Sequence, residues 1–194
     1  LALLFYEDER YHEAVSLSNF LVKRSSYDPI AQKAAILAFS SWQALAAQQN
    51  TYWGESATAQ MGEMASVIMR QWPHDRCSAD AAEASIHLAL RNGNSAAIES
   101  VLQSLDEDVI GRAAVLLRGG VALWHLCQHP GNEQNSTSSV LRTECLQDAS
   151  RVLDEGLASI DEKKVLQNTS LEVAVAGAVA RCEISLYSGN NDPL

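Results

Sequence analysis

Two stretches end alike: AAEASIHLALRNGN, residues 81–94, and GGVALWHLCQHPGN, residues 119–132. Aligned on Gly93-Asn94 and Gly131-Asn132, they set Ala84 beside Ala122, His87 beside His125, Leu88 beside Leu126 and Arg91 beside His129. A glycine just past an apolar helical run is a common way for a helix to stop and the chain to turn. A third such turn, Gly189-Asn190, follows the last apolar segment. The repeated unit is a helix, a Gly-Asn turn and a partner helix.

Outward from these stretches the same periodicity continues. Tyr11 to Arg24 carries Tyr11, Ala14, Val15, Leu17, Leu21 and Val22 at helical spacing. Asp28-Pro29 opens a helix to Gln49, with a capping carboxylate and a proline in its first turn. A helix from Glu55 to Trp72 presents Met61, Met64, Ala65, Ile68 and Met69 on one side and stops at Pro73. Asp80 with Glu83 reads as a capping box for the helix that ends at Gly93. Asn94 or Ser95 caps a shorter one through Leu105, and Val109 to Cys127 forms the next.

PGNEQNSTSS, Pro130 to Ser139, is the one low-complexity polar stretch and reads as a mobile loop. Val140 to Ile160 returns to helical spacing. Thr169 with Glu172 caps a final helix, Ser170 to Ser188. No run alternates β-branched residues as a strand would. The expectation is an all-α protein of eight or nine helices. A single antiparallel pair cannot bury its own apolar face, so the pairs are expected to stack into an α-solenoid. Residues 1–194 are read as a single helical-repeat domain. Because LALLFY opens the chain in mid-helix without a methionine, a fragment of a longer protein is expected.

Composition narrows the functions. The chain has 194 residues, 47% of them hydrophobic, which is too apolar for wholesale disorder. Its most apolar run, Leu171 to Ala180, is too short to span a membrane and contains Glu172, so no direct membrane insertion is expected. A net charge of −10 argues against nucleic acid and against anionic membrane surfaces, since both require a basic face. Cys77, Cys127, Cys145 and Cys182 are widely spaced with no CxxC pair, and are expected to be free thiols buried between helices. Asn135-Ser136-Thr137 and Asn168-Thr169-Ser170 fit the glycosylation sequon, a pattern that matters only in a secreted eukaryotic protein.

The pattern resembles the tetratricopeptide repeat family. In FYEDERYHEAV, Tyr11 and Ala14 stand where that family has an aromatic and then an alanine early in its second helix. In LLRGGVALW, Gly120 matches the small residue of close helix approach and Leu123 the bulky position after it. Gly93-Asn94 followed by Ala97-Ile98 is similar to the family's turn glycine and the Ala-aliphatic pair beyond it. Repeat lengths exceed the family's 34 residues and most signature tryptophans and glycines are missing. Another helical-repeat class or an irregular helical bundle therefore stays open. The resemblance implies a scaffold whose first helices line a concave, partner-binding face.

Candidate chemistry is sparse. His125 and His129 share a helix face and could hold a metal with Cys145 as a distant third ligand. Cys127 points about 160° away from each of them, so it cannot join them on an intact helix. Histidines beside the helix C-terminal dipole are the simpler reading. Glu83 and His87, four apart, read as a solvent-exposed pair because no nucleophile or pocket accompanies them. No GxSxG, Walker or dinucleotide pattern occurs, and neither a catalytic residue nor a cofactor is expected. Gly119-Gly120 is read as a close-packing site. Trp42, Trp53, Trp72 and Trp124 suit core positions.

The internal alignment offers a different candidate. Gln43, His87, His125 and Glu183 take one equivalent position in successive first helices, and Ala47, Arg91, His129 and Tyr187 take the next. This ladder crosses alanine-rich helices as a candidate peptide-binding strip, with a solvated face as the bland alternative. The function expected is a non-enzymatic scaffold for a protein or peptide. The alternative is a regulatory or sensory helical domain of a larger enzyme or membrane-associated protein.

Overall fold

The computed structural model describes residues 1–24, 29–48, 54–128, 138–160 and 171–189. Among these residues the protein is all-α, with no strand. Nine helices follow in order: α1 (Ala2–Glu7), α2 (Tyr11–Arg24), α3 (Pro29–Ala47), α4 (Gly54–Gln71), α5 (Arg76–Arg91), α6 (Ser95–Ser104), α7 (Arg112–Gln128), α8 (Ser138–Ala158) and α9 (Leu171–Gly189). The expected boundaries hold to within a few residues. The chain divides into two compact units, Leu1–Ala81 and Ala82–Leu194.

In the first unit, α2 and α3 pack together and α4 closes on them. Val15, Leu45 and Ala57 form a buried cluster with Tyr11, Trp42 and Ala46 against it, one contribution from each helix in turn. Ala31, Ala34, Ala35 and Ala38 are buried along α3, where small side chains let neighbouring helices approach. The turn from α1 to α2 is a Schellman closure: Glu9 N–H donates to Tyr6 O at 3.0 Å and Arg10 N–H to Phe5 O at 2.8 Å. Glu9 holds the left-handed conformation there, φ 59°, which a side chain with a Cβ adopts at a cost. Glu9→Gly is therefore expected to stabilise the first unit by up to about 1 kcal/mol, read as a rise in its urea midpoint. An unchanged or lower midpoint would mean that the turn is not strained.

One boundary departs from expectation. The Asp80–Glu83 box predicts a start at Asp80, but α5 begins at Arg76. Asp75 supplies the cap instead, its Oδ1 accepting from Cys77 N–H at 3.1 Å. That bond, with help from the Gln32 amide, holds the Asp75 carboxyl below the usual aspartate range.

In the second unit, α7 is the central element. Val115, Leu116, Leu117, Ala122, Leu123, Trp124 and Cys127 are all buried, so this helix is apolar around most of its circumference and neighbours cover it. Glycines mark each crossing. A Cβ on Gly119 would fall 2.7 Å from Leu102 of α6, and one on Gly120 would fall 2.6 Å from Leu153 of α8. On α9, a Cβ at Gly177 would fall 2.6 Å from Leu117. Gly120 meets Leu153 while Leu117 lies against Gly156, so α7 and α8 run antiparallel. Arg112 pairs with Glu155 at 2.6 Å near the start of α7, and Arg181 of α9 pairs with Asp154 at 2.7 Å. Such partly exposed pairs contribute little energy but fix which helices are neighbours.

The Gly-Asn turn works as the alignment requires at its first occurrence. Gly93 is left-handed, φ 65°. Asn94 N–H donates to Ala89 O at 2.9 Å and Gly93 N–H to Leu90 O at 3.0 Å, closing α5. The Asn94 side chain then accepts from Ala97 N–H at 3.0 Å and caps α6. One dipeptide ends a helix and begins the next. Asn132 and Asn190 lie outside the described residues.

The cysteine expectation is corrected. Cys127 and Cys145 form a disulfide, S–S 2.04 Å, with their Cα atoms 6.0 Å apart. Cys77 is a buried free thiol as expected, whereas Cys182 is free and exposed. Reading spacings along the chain missed the pair because antiparallel helices bring the end of α7 to the start of α8. Of the predicted loop Pro130 to Ser139, residues 130–137 lie outside the described residues, while Ser138 and Ser139 belong to α8.

Candidate binding face

The ladder residues are distributed as follows. Gln43 and Ala47 are exposed on α3, in the first unit. His87 and Arg91 on α5, His125 on α7 and Glu183 on α9 are exposed in the second unit, and Tyr187 is half-buried. His129 lies outside the described residues.

Within the second unit, α7 and α9 run parallel. Leu117 faces Gly177, and Trp124 meets both Glu183 and Tyr187. These contacts displace the two helices by 60, 59 and 63 residues (177 − 117, 183 − 124, 187 − 124). The turn alignment gives 58 (189 − 131), so the contact register follows the sequence repeat. His125 and Glu183 accordingly stand at one height on adjacent helices.

Trp124 organises this end of the face. Its ring is buried, and its Nε1–H donates to Glu183 Oε2 at 2.9 Å. Tyr187 packs edge-on against it at 6.0 Å between ring centres. A buried indole N–H requires an acceptor, and Glu183 provides it while remaining on the exposed face. On the other side of α7, Arg118 forms an ion pair with Glu83 of α5, one turn before His87. The Arg118–Glu83 pair thus joins α5, which carries the exposed His87 and Arg91, to α7, and Trp124 joins α7 to Glu183 of α9.

Sequence reasoning missed Trp124, the Glu83–Arg118 pair and the disulfide. Trp124 was legible only as a core aromatic, although it directly precedes a ladder residue. The sequence pairs Glu83 with His87 on its own helix, and no local spacing marks Arg118 as its partner across helices. The metal reading of His125, His129 and Cys145 is not assembled, because the Cys145 sulfur is bonded to Cys127.

Among the described residues, no helix is long and apolar enough to cross a membrane. No protein-family model, curated protein or solved structure matches the chain.

Proposed function

We propose that the chain is a non-enzymatic, tetratricopeptide-like scaffold that binds a protein or peptide along the exposed faces of its first-of-pair helices. The observation that carries this reading is the register of the second unit. α9 repeats α7 in parallel, α8 returns antiparallel between repeats, and polar residues stand at equal heights on an otherwise apolar framework. The buried alanine at Ala14 and the Leu153 seat on Gly120 fall where the family resemblance puts small residues.

The ligand chemistry follows from the charge order of the face. Arg91 offers a planar fork for a carboxylate, and His87 and His125 add imidazole N–H donors. Glu183 offers an acceptor at the opposite side. An extended peptide with an acidic end toward α5 fits this order.

The test is capture on an array of synthetic peptides bearing free C-terminal carboxylates, using the wild-type chain and the double variant Arg91→Glu with His125→Ala. Charge-assisted hydrogen bonds contribute about 1.5–3 kcal/mol, so capture is expected to fall by about tenfold or more. Both side chains are exposed, so the melting temperature should move by no more than about 2 °C. Unchanged capture would place the binding face elsewhere, and loss of folding would make these residues structural.

A further inference from the structure

The end of the candidate face is held from behind. His125 is exposed on the last turns of α7, while Cys127, two residues on and about 200° round the helix, is buried and bonded to Cys145 of α8. Between them in direction, Trp124 holds Glu183 and Tyr187 of α9. The last turn of a helix has carbonyls with no intrahelical partner and opens most readily. Here that turn is fastened to α8 covalently. At its other end the α7–α8 pair is joined by Arg112–Glu155, and in between by Leu153 seated on Gly120. Breaking the sulfur bond therefore releases one end of the pair and leaves the middle and the other end packed.

We propose that Cys127 and Cys145 are a thiol–disulfide pair whose oxidation state sets the order of the His125–Trp124–Glu183 end of the face. The inference rests on the binding reading above only for its consequence, namely capture. The exchange partner is a glutathione-type thiol. Cys145 is half-buried and Cys127 buried, so the incoming thiolate attacks the Cys145 sulfur and expels Cys127 as thiolate. A second glutathione thiolate attacks the glutathione sulfur of the mixed disulfide. It leaves Cys145 as thiolate and carries away the two oxidised glutathiones as their disulfide. Both protein thiolates take up protons, and oxidation by glutathione disulfide is the reverse.

In the oxidised form the turn is pinned, Trp124 keeps its bond to Glu183, and the face is formed. In the reduced form the last turn of α7 and the first turns of α8 open more often, and the indole and carboxylate part more often with them. Partner capture then follows the redox poise of the compartment.

The experiment is hydrogen exchange on the full chain carrying Cys182→Ser, which removes the exposed free thiol. It is run in glutathione disulfide and then in reduced glutathione. Reduction is expected to speed exchange by about tenfold or more in residues 121–128 and 143–149. Exchange throughout α2 and α3 should stay unchanged, as should the far-ultraviolet circular dichroism, while amides around Leu116–Leu117, which open only with the whole unit, should speed by no more than the lost cross-link stability requires. Cys127→Ser with Cys145→Ser should reproduce the reduced pattern in both buffers. Capture of the array peptides should weaken about tenfold in parallel. Unchanged exchange at 121–128 would overturn the proposal, and exchange at 121–128 that in the reduced chain stays as slow as at Leu116–Leu117 would replace it with a general staple. If the oxidised chain captures no peptide, the binding reading fails while the exchange pattern still decides the redox device.

Discussion

Gly120→Ala is expected to destabilise the second unit by about 1–3 kcal/mol, although alanine is the better helix former. The added methyl would stand 2.6 Å from Leu153 Cγ and 3.3 Å from the Leu153 backbone N. The side chain cannot simply swing away, because Cγ is near its root and Leu153 is itself fully buried. Either α8 moves outward, or Leu153 leaves its rotamer. Gly62 provides the control. It also lies inside a helix, α4, but a Cβ there meets nothing within 4 Å. Gly62→Ala should therefore stabilise by about 0.5–1 kcal/mol through the unfolded chain's lost freedom. Urea unfolding of both variants reads the contrast directly. If both substitutions stabilise, the α7–α8 approach is looser than described. Leu153→Ala in the Gly120→Ala background should recover part of the lost packing energy, so the pair should be strongly non-additive.

How much of this was legible in the chain depends on the range of the interaction. Helix identity is local: the spacing of Tyr11, Ala14, Val15, Leu17, Leu21 and Val22 predicted α2 from Tyr11 to Arg24, its exact bounds. The Gly93-Asn94 turn is local too, since both of its closures use residues within five positions. The failure at the start of α5 has the same origin. Asp80 and Glu83 satisfy the capping pattern, but Asp75 satisfies the same physics earlier and Pro73 forces α4 to end first. What the chain did not disclose is lateral. Trp124 finds Glu183 across 59 residues (183 − 124), and Arg118 finds Glu83 across 35 (118 − 83). Neither pairing has a periodic signature of its own. The turn alignment nonetheless carried the information needed for one of them. A displacement of 58 residues between repeats sets Glu183 opposite His125, one residue from Trp124, before any contact is known. The same logic would have found the disulfide. Cys127 closes one helix and Cys145 begins its antiparallel partner, and two cysteines so placed meet when the pair folds back.

Removal of that bond should have the largest single effect on stability. Cys127 and Cys145 are 18 residues apart, and closing a loop of that length lowers the entropy of the unfolded chain enough to stabilise the fold by about 3 kcal/mol. Cys127→Ser with Cys145→Ser should therefore lower the urea midpoint by about 1.5 M, taking a denaturant slope near 2 kcal/mol per M. The loss does not require unfolding at 25 °C, because folded domains begin with about 5–15 kcal/mol in hand. Serine at position 127 adds a second cost, since a hydroxyl would replace sulfur in a buried site. Cys127→Ala with Cys145→Ala separates the two effects: the alanine pair keeps the entropic loss without the buried hydroxyl. Three readings then bear on one bond. The untreated chain should be two hydrogens lighter than the reduced one by intact mass. Cleavage anywhere between the two cysteines should leave both fragments joined until a thiol is added. The alanine pair should show most of the midpoint shift. If its midpoint matches the parent's under oxidising conditions, the cross-link contributes nothing to stability, and α7 and α8 are held by Leu153, Leu117 and their glycine seats alone.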